Sequence, residues 1–151
     1  MNPFDPKSAL LAKHAQHVVL IHFPIALFLA GAAFDIATRW TRQATNRATL
    51  AAAARLNILA AAVFVLPTLA TGIAAWQWHL GGQRLKGLLL LHLGLGCTAG
   101  VLICLVAATH FRQRKASALP NYYLPLEILT AGVIGLAAHV GGFLSGVNVA
   151  G

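Results

Sequence analysis

The chain of 151 residues is 58% hydrophobic and only 9% charged, with a mean hydropathy of +0.74. An ordinary soluble domain carries about 25% charged residues, so this composition excludes a soluble globular protein. The formal net charge of +8 would suggest nucleic-acid binding in a soluble chain. Beside apolar segments, however, basic residues act as topology signals. We therefore expect an integral membrane protein that contacts lipid and binds no nucleic acid.

Four apolar stretches follow one another along the chain. Each has about the 20 residues that a helix needs to cross roughly 30 Å of hydrocarbon. Their apolar character is continuous rather than alternating, which favours helices over barrel strands. Because the connections are short, we expect an all-α integral membrane protein, an up-and-down four-helix bundle in one domain over residues 1–151, with no evident internal repeat. The predicted helices cover residues 18–38, 50–76, 87–109 and 123–143.

The basic residues are divided unequally between the two ends of the predicted bundle. Seven lie near the end of the first and third helices and four near their start, which favours the first group as cytoplasmic. We thus expect a multi-pass protein of a bacterial inner membrane with both termini in the periplasm. The larger group is Arg39, Arg42, Arg47, Arg55, Arg112, Arg114 and Lys115, and the smaller group is Lys7, Lys13, Arg84 and Lys86.

Histidine is the most informative residue type, with seven in the chain. His22, His92 and His139 lie about four or five residues inside the first, third and fourth predicted helices. Since these helices alternate in direction, the three side chains should reach one common depth near the outer surface. The other four stand at helix ends or in a connection, where we expect wet interfacial side chains: His14, His17, His79 and His110.

Small residues share a helical stripe with each of the three deeper histidines. Such stripes allow close packing of membrane helices, and they also leave room for a flat cofactor. Polar groups in membrane helices are costly and usually face an interior site. We therefore expect the glycines on the stripes of His92 and His139 to face the bundle interior. These are Gly96, Gly100, Gly135 and Gly142.

An imidazole at this depth can ligate haem iron, zinc or copper, relay protons, contact a quinone, or only pack. Two histidines on facing helices are sufficient for haem b. Because the first and third helices are diagonal in a four-helix ring, His22 and His92 are the predicted axial pair. His139 is the alternative ligand, and Gly96 and Gly135 are predicted to contact the cofactor.

This site predicts a haem b electron-transfer or quinol-interacting subunit near the periplasmic face. Its expected partners are quinol and a periplasmic or membrane redox protein, and a homo-oligomer is compatible with the pattern. A non-redox membrane anchor or assembly subunit is the alternative, and a metal-binding membrane protein is a third hypothesis. An electron-transfer or anchor role is favoured over catalysis by the chain alone.

Charged residues gather near the predicted cytoplasmic end of the bundle. Asp35 and Arg39 lie one turn apart, while Arg55 and Glu127 lie about a turn inside the second and fourth helices. Charges at this depth need partners, so we expect an interhelical ion cluster, with a proton path as the alternative.

Four motifs resemble those of a single family. HVVLIHFPIAL (residues 17–27) resembles an opening His-Pro-x-x-Val-His-Phe-Pro-Ile, and residues 70–76 are similar to Thr-Gly-x-x-Asp-Trp. Residues 86–92 resemble a basic residue and histidine at the start of the third helix, and GGFLSG (residues 141–146) resembles a closing Gly-Gly-Trp-Leu-Gly-Gly. The family is the group of bacterial membrane proteins called domain of unknown function 2231.

The resemblance spans all four predicted helices. It departs at Val18, where the family usually has proline, and at Ala75, where it has aspartate, while His139 is not a family position. Some relatives are joined to Rieske or c-type cytochrome domains. The resemblance therefore implies a four-helix membrane protein in a redox neighbourhood, and it names no reaction.

Overall fold

The structure is a computed structural model that describes residues 13–113 and 120–145, apart from the side chains at 13–15 and 79. Within these ranges a single π-helical turn, Ala75–His79, extends the second helix. All four helices of the described chain are long and apolar enough to span a membrane, which confirms the predicted fold class. The helices are α1 (Lys13–Trp40), α2 (Ala44–Ala74), α3 (Gly87–Arg112) and α4 (Tyr123–Leu144).

The observed helices extend beyond the apolar stretches at several ends. The second helix begins at Ala44 rather than near residue 50, because its first turns are polar and hydropathy does not register them. Arg47 stabilises this start by donating from Nε and Nη2 to the Thr41 carbonyl oxygen at 3.2 and 2.9 Å. The third helix begins as predicted at Gly87, whose φ of 56° lets the chain turn sharply into it.

The four helices pack as two hairpins. Helices α1 and α2 contact each other along their length, α3 and α4 form the second hairpin, and the contact between α1 and α4 is the slightest of the four around the ring. Each span buries only 17% to 28% of its most apolar window inside the chain. Most apolar side chains therefore face outward, as expected for helices surrounded by lipid.

The two ends of the bundle differ in chemistry and in packing. We call the end where α1 and α3 terminate the basic end, because it carries Arg39, Arg47 and Arg112. The opposite end, where α1 and α3 begin, is the histidine end, with His17 and His92. Fully buried positions of α1, α2 and α3 concentrate between the middle and the basic end, whereas at the histidine end the interior faces of these three helices are only half-buried.

The second hairpin repeats the burial pattern of the first, although no internal repeat is evident in the sequence. Five of the six buried α3 residues lie 75 residues after a buried residue of α1, as His110 does after Asp35. At these buried positions the repeat does not appear in residue identity, because it concerns only the direction in which side chains point. The matched positions are Pro24, Phe28, Ala32 and Asp35 with Ala99, Ile103, Ala107 and His110; in α2 and α4 they are Ala54, Ile58, Ala61 and Val65 with Tyr123, Glu127, Thr130 and Ile134.

A proline in α1 is compensated by a neighbouring helix. Pro24 has no N–H to donate to the carbonyl oxygen of Leu20, one turn earlier. Thr68 of α2 supplies the missing donor, because its hydroxyl donates to that oxygen at 3.3 Å. Threonine side chains of adjacent helices commonly satisfy backbone groups freed by proline in membranes. The proline of the family-like motif therefore fixes a contact between α1 and α2.

Candidate functional site

The interior faces of α1 and α3 can be located from one contact at the basic end. His110 Nε2 lies 2.8 Å from Asp35 Oδ2, so these two diagonal helices face each other there. His17 precedes Asp35 by eighteen residues, and His92 precedes His110 by the same number. Eighteen residues are five full helical turns, or about 27 Å, so both histidines lie on these facing sides of α1 and α3.

Each of these two histidines is held by the adjacent helix of its own hairpin. His17 Nδ1 lies 3.2 Å from the Thr68 carbonyl oxygen, and its ring packs on Gly72, where an added Cβ would lie 2.9 Å from Cε1. His92 Nδ1 lies 3.1 Å from the Ala137 carbonyl oxygen, and its ring packs on Gly141 at the same 2.9 Å. A carbonyl only accepts, so Nδ1 carries the proton in both rings. The two hairpins thus contain the same histidine-on-glycine contact.

Two of the three histidines selected from the sequence do not face the interior. His22 is exposed, and its Nδ1 donates to the Val18 carbonyl oxygen of its own helix at 2.7 Å. It lies five residues from His17, which turns it roughly 140° away around α1. His139 is also exposed, with its ring edge against Phe143 at 5.0 Å between centroids. The expectation that these two side chains face the interior is wrong, because apolar and small residues surround α1 and α4 on every side.

The four glycines expected inside the bundle are placed differently from one another. Gly100 is buried, and a Cβ there would meet Val65 at 3.0 Å, which confirms its interior position. Gly96 is half-buried on the His92 face, and open space surrounds the position of its missing Cβ. Gly142 is half-buried. Gly135 is exposed with nothing within 4 Å, so its predicted interior position is wrong.

A second polar group lies in the interior near the basic end. Asp35, His110 and Glu127 are 5%, 5% and 1% exposed, and one ligand atom from each lies within 4.8 Å of the others. Tyr123 contacts His110 edge-on, with ring centroids 4.8 Å apart. Helices α1, α3 and α4 each contribute to this group, which we call the buried triad for its three ionisable members, Asp35, His110 and Glu127.

Hydrogen bonding in the buried triad is incomplete. Both carboxylate oxygens of Glu127 and the hydroxyl of Tyr123 are buried and make no hydrogen bond of ordinary geometry within the described part of the chain. Burying a polar group without a partner is costly, and burying a charge without one is more so. The predicted ion cluster therefore has different members: within the described residues Asp35 pairs with His110, and neither Arg39 nor Arg55 forms an ion pair with a carboxylate.

Two histidines have roles that were not predicted from the sequence. His110 and His17 were predicted to be wet interfacial side chains, which is wrong, since His110 is buried and His17 is half-buried in a hydrogen-bonded contact. The equal spacing of eighteen residues in α1 and α3 is the signal that could have identified both. The side chains of His14 and His79 lie outside the described residues, as do those of Lys7, Lys13, Arg114 and Lys115.

These features define a polytopic helical membrane protein with two polar centres in an apolar bundle. The chain belongs to the family described as predicted membrane protein (DUF2231), whose model matches residues 13–150. No curated protein and no solved structure gives a significant match. The family confirms the resemblance carried by the motifs, and four of their residues make the histidine-on-glycine contacts: His17, Gly72, His92 and Gly141.

Proposed function

We propose that this protein is a haem b electron-transfer subunit of the membrane, with haem at the histidine end. The observation that carries the proposal is the shared register of α1 and α3, which directs His17 and His92 to the same interior as Asp35 and His110. We assign His92 and His17 as the axial ligands. His17 replaces His22 in the pair expected from the sequence, because His22 points away from α3.

The anchoring of both rings supports ligation. A metal-bound histidine usually donates its other ring N–H to a carbonyl or carboxylate, which fixes the tautomer and the ring orientation. His17 and His92 have their Nδ1 atoms 3.2 and 3.1 Å from backbone carbonyl oxygens. In the neutral ring the lone pair then belongs to Nε2, the atom that would ligate iron.

The local packing supports a flat ligand at this end. Gly96 lies one turn from His92 on the same face, and a Cβ there would meet no heavy atom within 4 Å. The interior positions around it are half-buried, unlike those near the basic end. A porphyrin between the two hairpins would fill this space and contact the glycine backbone.

Haem b would supply one-electron transfer, while the chain would hold and orient it inside hydrocarbon. A haem site near one membrane surface favours electron exchange with quinol in the lipid or with a redox protein docked at that surface. We propose these as the partners.

Ligand variants test this assignment. Protein purified with its haem should show a low-spin reduced-minus-oxidised spectrum that His17→Ala and His92→Ala each abolish. His22→Ala and His139→Ala are the matched controls, since each removes an exposed imidazole and should leave the spectrum intact. Loss of the spectrum in His22→Ala with retention in His17→Ala would favour the pair expected from the sequence.

A non-redox membrane anchor is the second candidate function. It is favoured by the fit of His17 and His92 against Gly72 and Gly141, which by itself stabilises two hairpins. Under this alternative the purified protein is colourless, and substitution of either histidine lowers only the stability of the fold.

A further inference from the structure

We propose that the buried triad of Asp35, His110 and Glu127 binds a divalent first-row transition-metal ion. The three side chains come from three helices and converge in the apolar interior, with one ligand atom from each within 4.8 Å of the others. This site lies about 27 Å from the histidine end along α1 and is independent of haem.

The strongest indication of a ligand is the state of Glu127. This side chain is 1% exposed, and neither of its carboxylate oxygens makes a hydrogen bond of ordinary geometry to any residue that the structure describes. It is directed at the pair formed by Asp35 and His110, which themselves are in contact at 2.8 Å. A buried carboxylate is normally paired or coordinates a metal, and within the described residues no lysine or arginine forms an ion pair with it.

The charge of the triad also matches a divalent cation. Metal binding displaces the proton between His110 Nε2 and Asp35 Oδ2, because a ligand nitrogen must be unprotonated. Two carboxylates and a neutral imidazole then carry two negative charges, which a divalent ion neutralises. Intramembrane charges are stable only when compensated in this way, since hydrocarbon offers no solvation. Binding would therefore leave the interior of the bundle without net charge.

Metal binding requires the three ligand atoms to move only slightly closer together. Around an ion with ligand distances near 2.1 Å, neighbouring ligand atoms lie about 3.0 to 3.4 Å apart. His110 Nε2 and Asp35 Oδ2 are already 2.8 Å apart, and the remaining separations are at most 4.8 Å. A rotation of the Glu127 side chain that moves its carboxylate by roughly an ångström or two, on the order of one rotamer change, brings the three ligand atoms to these distances.

The donor types indicate the class of ion. Imidazole suits zinc, iron and other first-row transition metals, whereas magnesium and calcium prefer oxygen ligands alone. One imidazole with two carboxylates leaves further positions open for water or a substrate. The Tyr123 hydroxyl is buried beside Glu127 and Asp35, and within the described residues it makes no hydrogen bond of ordinary geometry, so it is available to such a ligand.

Titration of the full-length protein in detergent tests the site, using a purification tag without histidine. After chelator treatment the protein should bind one Co²⁺ per chain with a ligand-field absorption band, and Zn²⁺ should displace it. Glu127→Gln and Asp35→Asn should each weaken binding by at least about ten-fold, the smallest loss seen even for residues that only support ligands. His22→Gln and His139→Gln remove exposed imidazoles and should bind as the wild type does.

Thermal unfolding supplies a second measurement that does not depend on colour. Zn²⁺ should raise the Tm of the wild type and leave that of Glu127→Gln unchanged, because only an intact site links the ion to folding. The metal-free Glu127→Gln protein should fold at least as stably as metal-free wild type, since glutamine keeps the shape of the side chain and removes an ionisable group from the apolar interior. Absence of stoichiometric Co²⁺ binding, or undiminished binding by Glu127→Gln, would overturn the proposal.

Discussion

Substitution of Gly141 by alanine probes the contact that positions His92. A Cβ at residue 141 would lie 2.9 Å from His92 Cε1 and 3.4 Å from Nδ1. Carbon atoms in favourable contact are about 3.5 to 4.0 Å apart, so the ring must move by roughly 0.6 Å or more. That movement strains the hydrogen bond from Nδ1 to the Ala137 carbonyl oxygen, now 3.1 Å long.

The expected cost follows from these displacements. Overpacking of a close contact costs about 1 to 3 kcal/mol, and the weakened hydrogen bond adds up to about 1 kcal/mol. Alanine offsets as much as about 1 kcal/mol through its higher helix propensity. We therefore expect Gly141→Ala to lower the free energy of unfolding by roughly 1 to 3 kcal/mol, dominated by the steric contribution.

Gly135→Ala is the matched control for this experiment. It makes the same chemical change in the same helix, but beyond the backbone of its own helix and its two chain neighbours no atom of the described residues lies within 4 Å of the added Cβ. Reversible unfolding in mixed micelles with increasing dodecyl sulfate, followed by circular dichroism, compares the two proteins directly. Equal unfolding midpoints for Gly141→Ala and Gly135→Ala would refute the histidine-on-glycine contact.

Three further predictions concern other parts of the molecule. Thr68→Val should destabilise the protein by about 1 to 3 kcal/mol in the same assay, because the Leu20 carbonyl loses its donor. Thr98→Val is the control, since the Thr98 hydroxyl donates within its own helix. Equal effects of the two substitutions would contradict the role of Thr68. Tyr123→Phe removes a buried hydroxyl without a partner, so stability should be unchanged or higher, and a loss above about 1 kcal/mol would show an unrecognised partner. From the basic-residue bias, alkaline phosphatase fused at the C-terminus should be active and a cytoplasmic fluorescent fusion dark, whereas the opposite pattern would invert the proposed topology.

The membrane class and the number of helices could be predicted because they depend on composition and length. The starts of α3 and α4 at Gly87 and Tyr123 coincide with the predicted ones. The earlier start of α2 was missed because its first turns carry polar side chains. Hydropathy therefore measures where a helix enters hydrocarbon and not where its hydrogen bonding begins.

The rotation of each helix could not be predicted in the same way. In a soluble protein the polar face marks the outside, but both the interior and the lipid-facing side of these helices are apolar. His22 and His139 were assigned to the interior on the strength of small neighbouring residues, which occur on all sides of α1 and α4. His92 was assigned by the same argument, and it does lie on the interior face.

The buried triad was only partly visible in the sequence. Asp35 and Glu127 were expected to find partners, but arginines were the obvious candidates because they outnumber other charges near that end. His110 escaped notice because the apolar stretch ends just before it, while α3 continues to Arg112. In the sequence, Asp35 and His110 have one feature in common: each follows a histidine of its own helix by five helical turns.

The central claim is the haem at the histidine end, and its content in purified protein tests that claim most directly. The full-length protein should be expressed with ample haem, purified in mild detergent and assayed for porphyrin as the pyridine haemochrome. We predict one haem b per chain, with a low-spin spectrum typical of two histidine ligands. Protein that is folded yet contains no porphyrin would contradict the claim and leave the membrane anchor as the better account.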